Sequence, residues 1–155
     1  MERVRLDDQD NRMGPATVST PLTDILGLTD AAVNYYELAS GDSFAFGFHA
    51  HEEQEEVFYI QEGTVTFRTV GGSVEVGPRE VVRFGPGEYQ RGVNEGDTRV
   101  VALAIGAPQD AGATEILRAC PSCETETAQS LELTDDKDAI VARCEECETV
   151  TGEFT

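Results

Sequence analysis

Hydrophobic and polar positions alternate along most of the chain in short bursts. From Ala32 to about Ile105 the apolar or β-branched runs are "VNYYELA", "SFAFGFH", "EVFYI", "VTFRTV", "SVEV", "EVVRF" and "TRVVALAI". No helix of useful length fits among them. Turn signals stand between the runs: Gly41-Asp42, Glu62-Gly63, Gly71-Gly72, Gly77-Pro78, Gly85-Pro86-Gly87 and "NEGD" at Asn94 to Asp97. Many short strands separated by glycine turns predict an antiparallel sandwich or barrel. In "TVGGSV" the Gly71-Gly72 pair predicts a tight hairpin with both glycines at positive φ.

The flanks read differently. Residues 1–19 are polar and predict an arm that drapes over the body or is partly disordered. In "TPLTDILGL" Thr20 can cap, Pro21 suits the first helical position, Asp24 sits in the first turn and Gly27 stops it, which predicts one or two helical turns. After Ile105, "GAPQDAGAT" reads as a linker. The expected division is an arm with a short helix over 1–31, a β-barrel over 32–106, a linker over 107–115 and a cysteine-bearing segment over 116–155. That last segment is too small for its own hydrophobic core and needs a staple.

Charge changes the picture of partners. The 155 residues include 30 acidic side chains and 11 basic ones, a net charge of -19, and Lys137 is the only lysine. Phosphate backbones would be repelled, which argues against nucleic acid. The composition resembles that of haloarchaeal-type proteins, which work in molar salt, where a Debye length of ~3 Å screens an acidic surface. No run of 18 apolar residues offers a membrane span. "MERVRLDDQD" lacks the apolar stretch of an export signal, so a cytoplasmic protein is expected.

Two cysteine pairs supply a staple. Cys120 and Cys123 form one C-x2-C, Cys144 and Cys147 another, with 20 residues between the pairs. Four thiolates on two tight knuckles suit tetrahedral zinc. The intervening "SLEL" and "AIVARC" would form the hairpin that brings the pairs together. The segment resembles a zinc ribbon. It departs from the ribbon pattern where glycine usually follows the second cysteine, because Glu124 and Glu148 stand there. A redox dithiol would need a single C-x-x-C in a βαβ setting, and a reducing compartment disfavours disulfides.

The histidines carry the remaining chemistry. His49 and His51, the only two, sit two apart in "FGFHAHEEQEEVFYIQEG" and so share one face of a strand. By the same parity Ala45 and Gly47 leave room on that face. Phe44, Phe46 and Phe48 would form an apolar stripe on the other, suited to a dimer interface. Glu56 opens the returning strand and can reach both imidazoles. Two histidines and a carboxylate make a ligand set for iron, manganese, nickel, copper or zinc.

The spacing His49-x-His51-x4-Glu56-x6-Gly63 resembles the first motif of the cupins, G-x5-H-x-H-x3-4-E-x6-G. "GPGEYQRGVN" is similar to their second motif, G-x5-P-x-G-x2-H-x3-N, through Pro86, Gly87 and Asn94. The place of that motif's histidine is held by Gln90, whose amide oxygen is a weaker, neutral donor. Glu55 is the alternative carboxylate, since three intervening residues are also allowed.

The resemblance implies an all-β fold: a cupin-type jelly-roll β-barrel with a small C-terminal zinc ribbon. It implies a divalent transition metal (iron, manganese, nickel or zinc) on His49, His51, Glu56 and Gln90. It also implies a pocket for a small-molecule ligand or substrate, with Tyr89 or Arg91 in contact, and a homodimer. Two functional classes follow. One is a metal-dependent dioxygenase or isomerase acting on a small polar metabolite. The other is a non-catalytic binding or sensor module whose ribbon contacts a protein partner.

Overall fold

The computed structural model describes residues 1–155. A 3-10 turn at Leu6–Asp8 precedes thirteen strands: β1 Val18–Pro21, β2 Ala32–Leu38, β3 Phe48–His51, β4 Glu55–Glu62, β5 Val65–Thr69, β6 Gly72–Val76, β7 Val81–Phe84, β8 Gln90–Val93, β9 Val100–Ala107, β10 Thr114–Cys120, β11 Thr125–Leu133, β12 Ile140–Cys144 and β13 Val150–Phe154. All strand pairs are antiparallel. The all-β, jelly-roll expectation is what the chain adopts.

The pairing explains the topology. β5 pairs with β6, β4 with β7, β3 with β8 and β2 with β9, so one long hairpin is rolled up and its successive pairs fall alternately in two sheets. One sheet runs β1-β2-β9-β4-β7; the other runs β13-β12-β11-β10-β3-β8-β5-β6. The core lies between them: Leu38, Phe44, Phe58, Ile60, Val65, Phe67, Val76, Phe84, Val100, Ala102 and Ala104 are all buried. Phe58 and Phe67 pack with ring centroids 5.0 Å apart, and Phe67 meets Phe84 at 5.3 Å. Truncating such a buried ring typically costs about 3–5 kcal/mol.

The cysteine segment is built onto the barrel's own sheet. β10 pairs with β3, setting Thr114 opposite His51, Ile116 opposite His49 and Leu117 opposite Phe48. β11, β12 and β13 then extend that sheet outward.

Several local expectations are corrected. Thr20 and Pro21 end strand β1 and do not open a helix; the following residues make only a turn, with Leu26 N–H donating to Leu22 O. Gly27 does close that turn, at φ 65°. The β5–β6 hairpin forms with Thr69 opposite Gly72, but only Gly72 has positive φ, and Val70 and Gly71 make the tip.

The phenylalanine stripe is also broken. Residues 44–47 are bends, so strict alternation does not run through them. Phe44 turns inward over Gly92, where a Cβ would meet its ring at 2.6 Å. Phe46 packs on Phe154 and Phe48 on Tyr89. The three therefore form no common face. The room expected beside Gly47 is taken by the β10 backbone, since a Cβ there would lie 2.5 Å from Leu117 O.

Candidate metal centre

Register places the site. His49 on β3 lies opposite Gln90 on β8 in the ladder, and Glu56 enters from β4 in the facing sheet. The chain between is short because Gly63 closes the β4–β5 turn. Gly63 has φ 76°, and a Cβ on it would fall 2.5 Å from Arg99 O, so no side chain fits.

The four side chains meet at one point. His49 Nε2 lies 3.8 Å and His51 Nε2 3.6 Å from Glu56 Oε2. Gln90 Nε2 lies 3.2 Å from His49 Nε2 and donates to Glu56 Oε2 at 3.1 Å. The outer nitrogens orient the rings. His49 Nδ1 lies 3.3 Å from Gly47 O, which can only accept, so Nδ1 carries a proton and Nε2 is the nitrogen turned to the centre. Thr114 Oγ1 lies 2.9 Å from His51 Nδ1 and orients that ring. Burial pushes the Glu56 carboxyl up, but hydrogen bonds and charge from His49 and His51 outweigh it and hold it at about 2. Glu56 is therefore a carboxylate.

Gln90 adds an amide to the centre. Its amide nitrogen points at the acceptors His49 and Glu56, while its buried Oε1 has no partner. A cation would take the place of those two N–H groups, and the amide turned over would offer Oε1 to it. Imidazole, carboxylate and amide donors fit a divalent transition metal. Glu55 lies apart, its carboxylate accepting from Arg83 Nε at 2.5 Å.

A cavity of about 370 Å³ opens beside these groups, lined among others by Asn34, Tyr36, Gln54, Thr114, Ile116 and Leu131. Burial first, then Glu56, pushes the Tyr36 phenol up to about 12, so it keeps its proton. Gln54 is buried and donates to Pro108 O at 2.7 Å, covering one side. Sequence reasoning missed these lining residues. The alternation of Asn34, Tyr36 and the buried Leu38 in "VNYYEL" was the available signal for β2. The β10–β11 wall left no local signal. Tyr89 and Arg91, expected at the pocket, lie elsewhere. Tyr89 stacks on Phe48 with its hydroxyl donating to Glu115, and Arg91 is on the sheet's other face.

The cysteines converge as a second centre. Cys120 Sγ lies 3.5 Å from Cys147 Sγ and Cys123 Sγ 3.9 Å from Cys144 Sγ, and all four sulfurs fall within 4.8 Å of one another. Tetrahedral zinc with Zn–S of ~2.3 Å needs sulfurs about 3.8 Å apart. Hydrogen bonds from Thr149 hold the Cys147 thiol down at about 6, and Thr127 lowers that of Cys144. Glu124 and Glu148 do not alter the knuckles; they adopt the left-handed conformation of the usual glycine, with φ 55° and 58°.

The comparisons agree with the fold. Residues 34–106 match the cupin domain model, a little under half of the chain. A sugar phosphate isomerase of the cupin superfamily from Silicibacter pomeroyi DSS-3 superposes with a TM-score of 0.61 at 24% identity, covering 99% of this chain and 91% of that one. A Cupin 2 conserved barrel domain protein from Salinispora arenicola gives 0.59 at 20%, covering 72% and 90%. A predicted oxalate decarboxylase from Thermotoga maritima gives 0.57 at 21%, covering 68% and 98%. No curated protein matches the sequence. Residues 34–106 thus match a cupin domain within a cupin-type β-barrel, to whose sheet the four-cysteine hairpin is joined.

Proposed function

We propose that the barrel holds a divalent transition metal (iron, manganese, nickel or zinc) on His49, His51, Glu56 and Gln90, and that it acts on a small polar metabolite by isomerase-type chemistry. The observation that carries the metal is the convergence of His49, His51 and Glu56, with the Gln90 amide against them and its buried Oε1 unpartnered. A bound metal would supply Lewis acidity toward a ligand's carbonyl or hydroxyl oxygen. The chain's own groups bind and orient: Tyr36 offers a proton-bearing hydroxyl, Asn34 an amide, and the apolar wall at Ile116 and Leu131 excludes water.

Isomerase chemistry is favoured because the sugar phosphate isomerase likeness spans both the barrel and the cysteine hairpin, whereas the likeness to the predicted oxalate decarboxylase covers 68% of the chain. The second reading, a binding or sensor module without catalysis, draws on Gln90, a neutral donor where the cupin motif has histidine. Zinc on Cys120, Cys123, Cys144 and Cys147 would be structural. Four free thiols suit a cytoplasmic setting. A homodimer would use the outer face of the five-stranded sheet, where Ile105 and Val81 are exposed, in place of the dispersed phenylalanines.

Metal analysis of untagged protein tests this reading. The wild type is expected to carry zinc plus a second metal, and His49→Ala/His51→Ala to lose only the second. Zinc alone, unchanged in the double variant, would sink the barrel metal. With polyhydroxylated substrates in D2O, isomerase chemistry predicts deuterium uptake without oxygen consumption; a dioxygenase predicts the reverse.

A further inference from the structure

The other face of the barrel sheet holds a second feature. Arg68 on β5 stands directly opposite Arg91 on β8. Like charges in that cross-strand position repel. Phe48 and Leu117 form the floor beside them, and Arg118 on β10 reaches the same open cleft of about 410 Å³. The chain has only 11 basic residues against 30 acidic ones. Arg68, Arg83, Arg99 and Arg143 each have a carboxylate partner, yet Arg91 and Arg118 have none within 4.0 Å. The Nε of each is buried and unpartnered. Arg118 is held in place by bonds to Phe46 O and Thr151 O and by the Phe154 ring, 5.2 Å from its guanidinium. Burial, and then the neighbouring guanidinium, disfavours the charged form of both.

An acidic surface would ordinarily neutralise such a pair. Glu95 engages Arg68, Glu126 lies at the cleft, and Asp42 and Glu153 line the adjoining groove, yet none of these carboxylates pairs with Arg91 or Arg118. The two guanidinium groups are left without a counter-ion in direct contact. Guanidinium forks match tetrahedral and planar oxyanions. We propose that this cleft is an oxyanion site that binds a small phosphate-type anion, free or esterified, between Arg91, Arg68 and Arg118. Gln90 faces the barrel and Arg91 faces away, so the site is separate from the metal centre and does not rest on the isomerase reading.

Binding of inorganic phosphate by the full-length protein, followed by equilibrium dialysis at constant ionic strength, tests it. Arg91→Gln should weaken binding by about tenfold or more, the loss of a charge-assisted hydrogen bond. His49→Ala/His51→Ala and Arg83→Gln should leave it unchanged. A glycerol phosphate arm separates the two sources, since the ester binds more tightly if the floor of Phe48 and Leu117 is used. Removing one of two repelling charges should also raise the melting temperature of Arg91→Gln without phosphate while abolishing the stabilisation phosphate gives the wild type. Unsaturable binding, binding unchanged in Arg91→Gln, or binding lost in the histidine double variant would each overturn the site. So would an Arg91→Gln effect confined to sedimentation, which would assign the cluster to a second copy.

Discussion

Glu124 and Glu148 hold positive φ values that cost a residue bearing a Cβ about 1–2 kcal/mol. Each N–H donates to the carbonyl of the first cysteine of its knuckle, at 2.9 Å to Cys120 O and 2.8 Å to Cys144 O, so the turn is kept despite the strain. Glycine at either position should therefore raise stability, by roughly 0.5–1 kcal/mol after its greater unfolded-state entropy is subtracted. Denaturant midpoints of Glu124→Gly and Glu148→Gly check this, and a fall in midpoint would mean that the carboxylates themselves stabilise the turn. At this scale the sequence was most legible. His49, His51, Glu56 and Gly63 lie on the consecutive strands β3 and β4 and in the turn that follows, so their spacing carries the geometry. Gln90 stands at a fixed place before Asn94, a buried residue whose amide donates to Leu38 O and Thr98 O and so anchors that end of the motif. Tyr36 and Thr114 were missed because neither sits in a motif.

At the scale of elements, alternation succeeded in regular strands and failed at their joints. β4 buries Phe58 and Ile60 as period two requires, while the bends over 44–47 shift the three phenylalanines onto different surfaces. The β10–β11 hairpin serves two centres at once: Cys120 ends β10, while Thr114 and Ile116 of the same strand and Leu131 of β11 line the barrel cavity. Loss of the cysteine metal should then be felt at the histidines. Cys120→Ser is expected to lose zinc and to speed amide hydrogen exchange in β10 and in its partner β3. It should also lower the barrel's affinity for its metal through the bond from Thr114 to His51. Exchange altered only around residues 120–147 would show that the two centres are mechanically independent.

The whole molecule is dominated by its net charge of -19. Two such chains repel, so association through Val57, Tyr59, Leu103 and Ile105, which alternate with the buried Phe58, Ile60, Ala102 and Ala104, should strengthen with salt as the Debye length falls from ~8 Å to ~3 Å. Sedimentation across that range should show dimer increasing with salt, and Ile105→Glu should stay monomeric and folded. A wild type monomeric at every salt concentration would refute that interface. Composition made the charge plain, but the arginine cluster was invisible to it, because β5, β8 and β10 contribute its members from distant parts of the sequence.

The pairing of β10 with β3 has one more consequence for the whole molecule. A chain cut after Ala107 would keep every residue of the cupin match and the four side chains of the metal centre, yet β3, which presents both histidines, would become a four-residue edge strand. Its unpaired N–H and C=O groups would be open to any passing strand, and His51 would lose the hydroxyl that orients it. The matched segment thus stops short of the strand that covers β3.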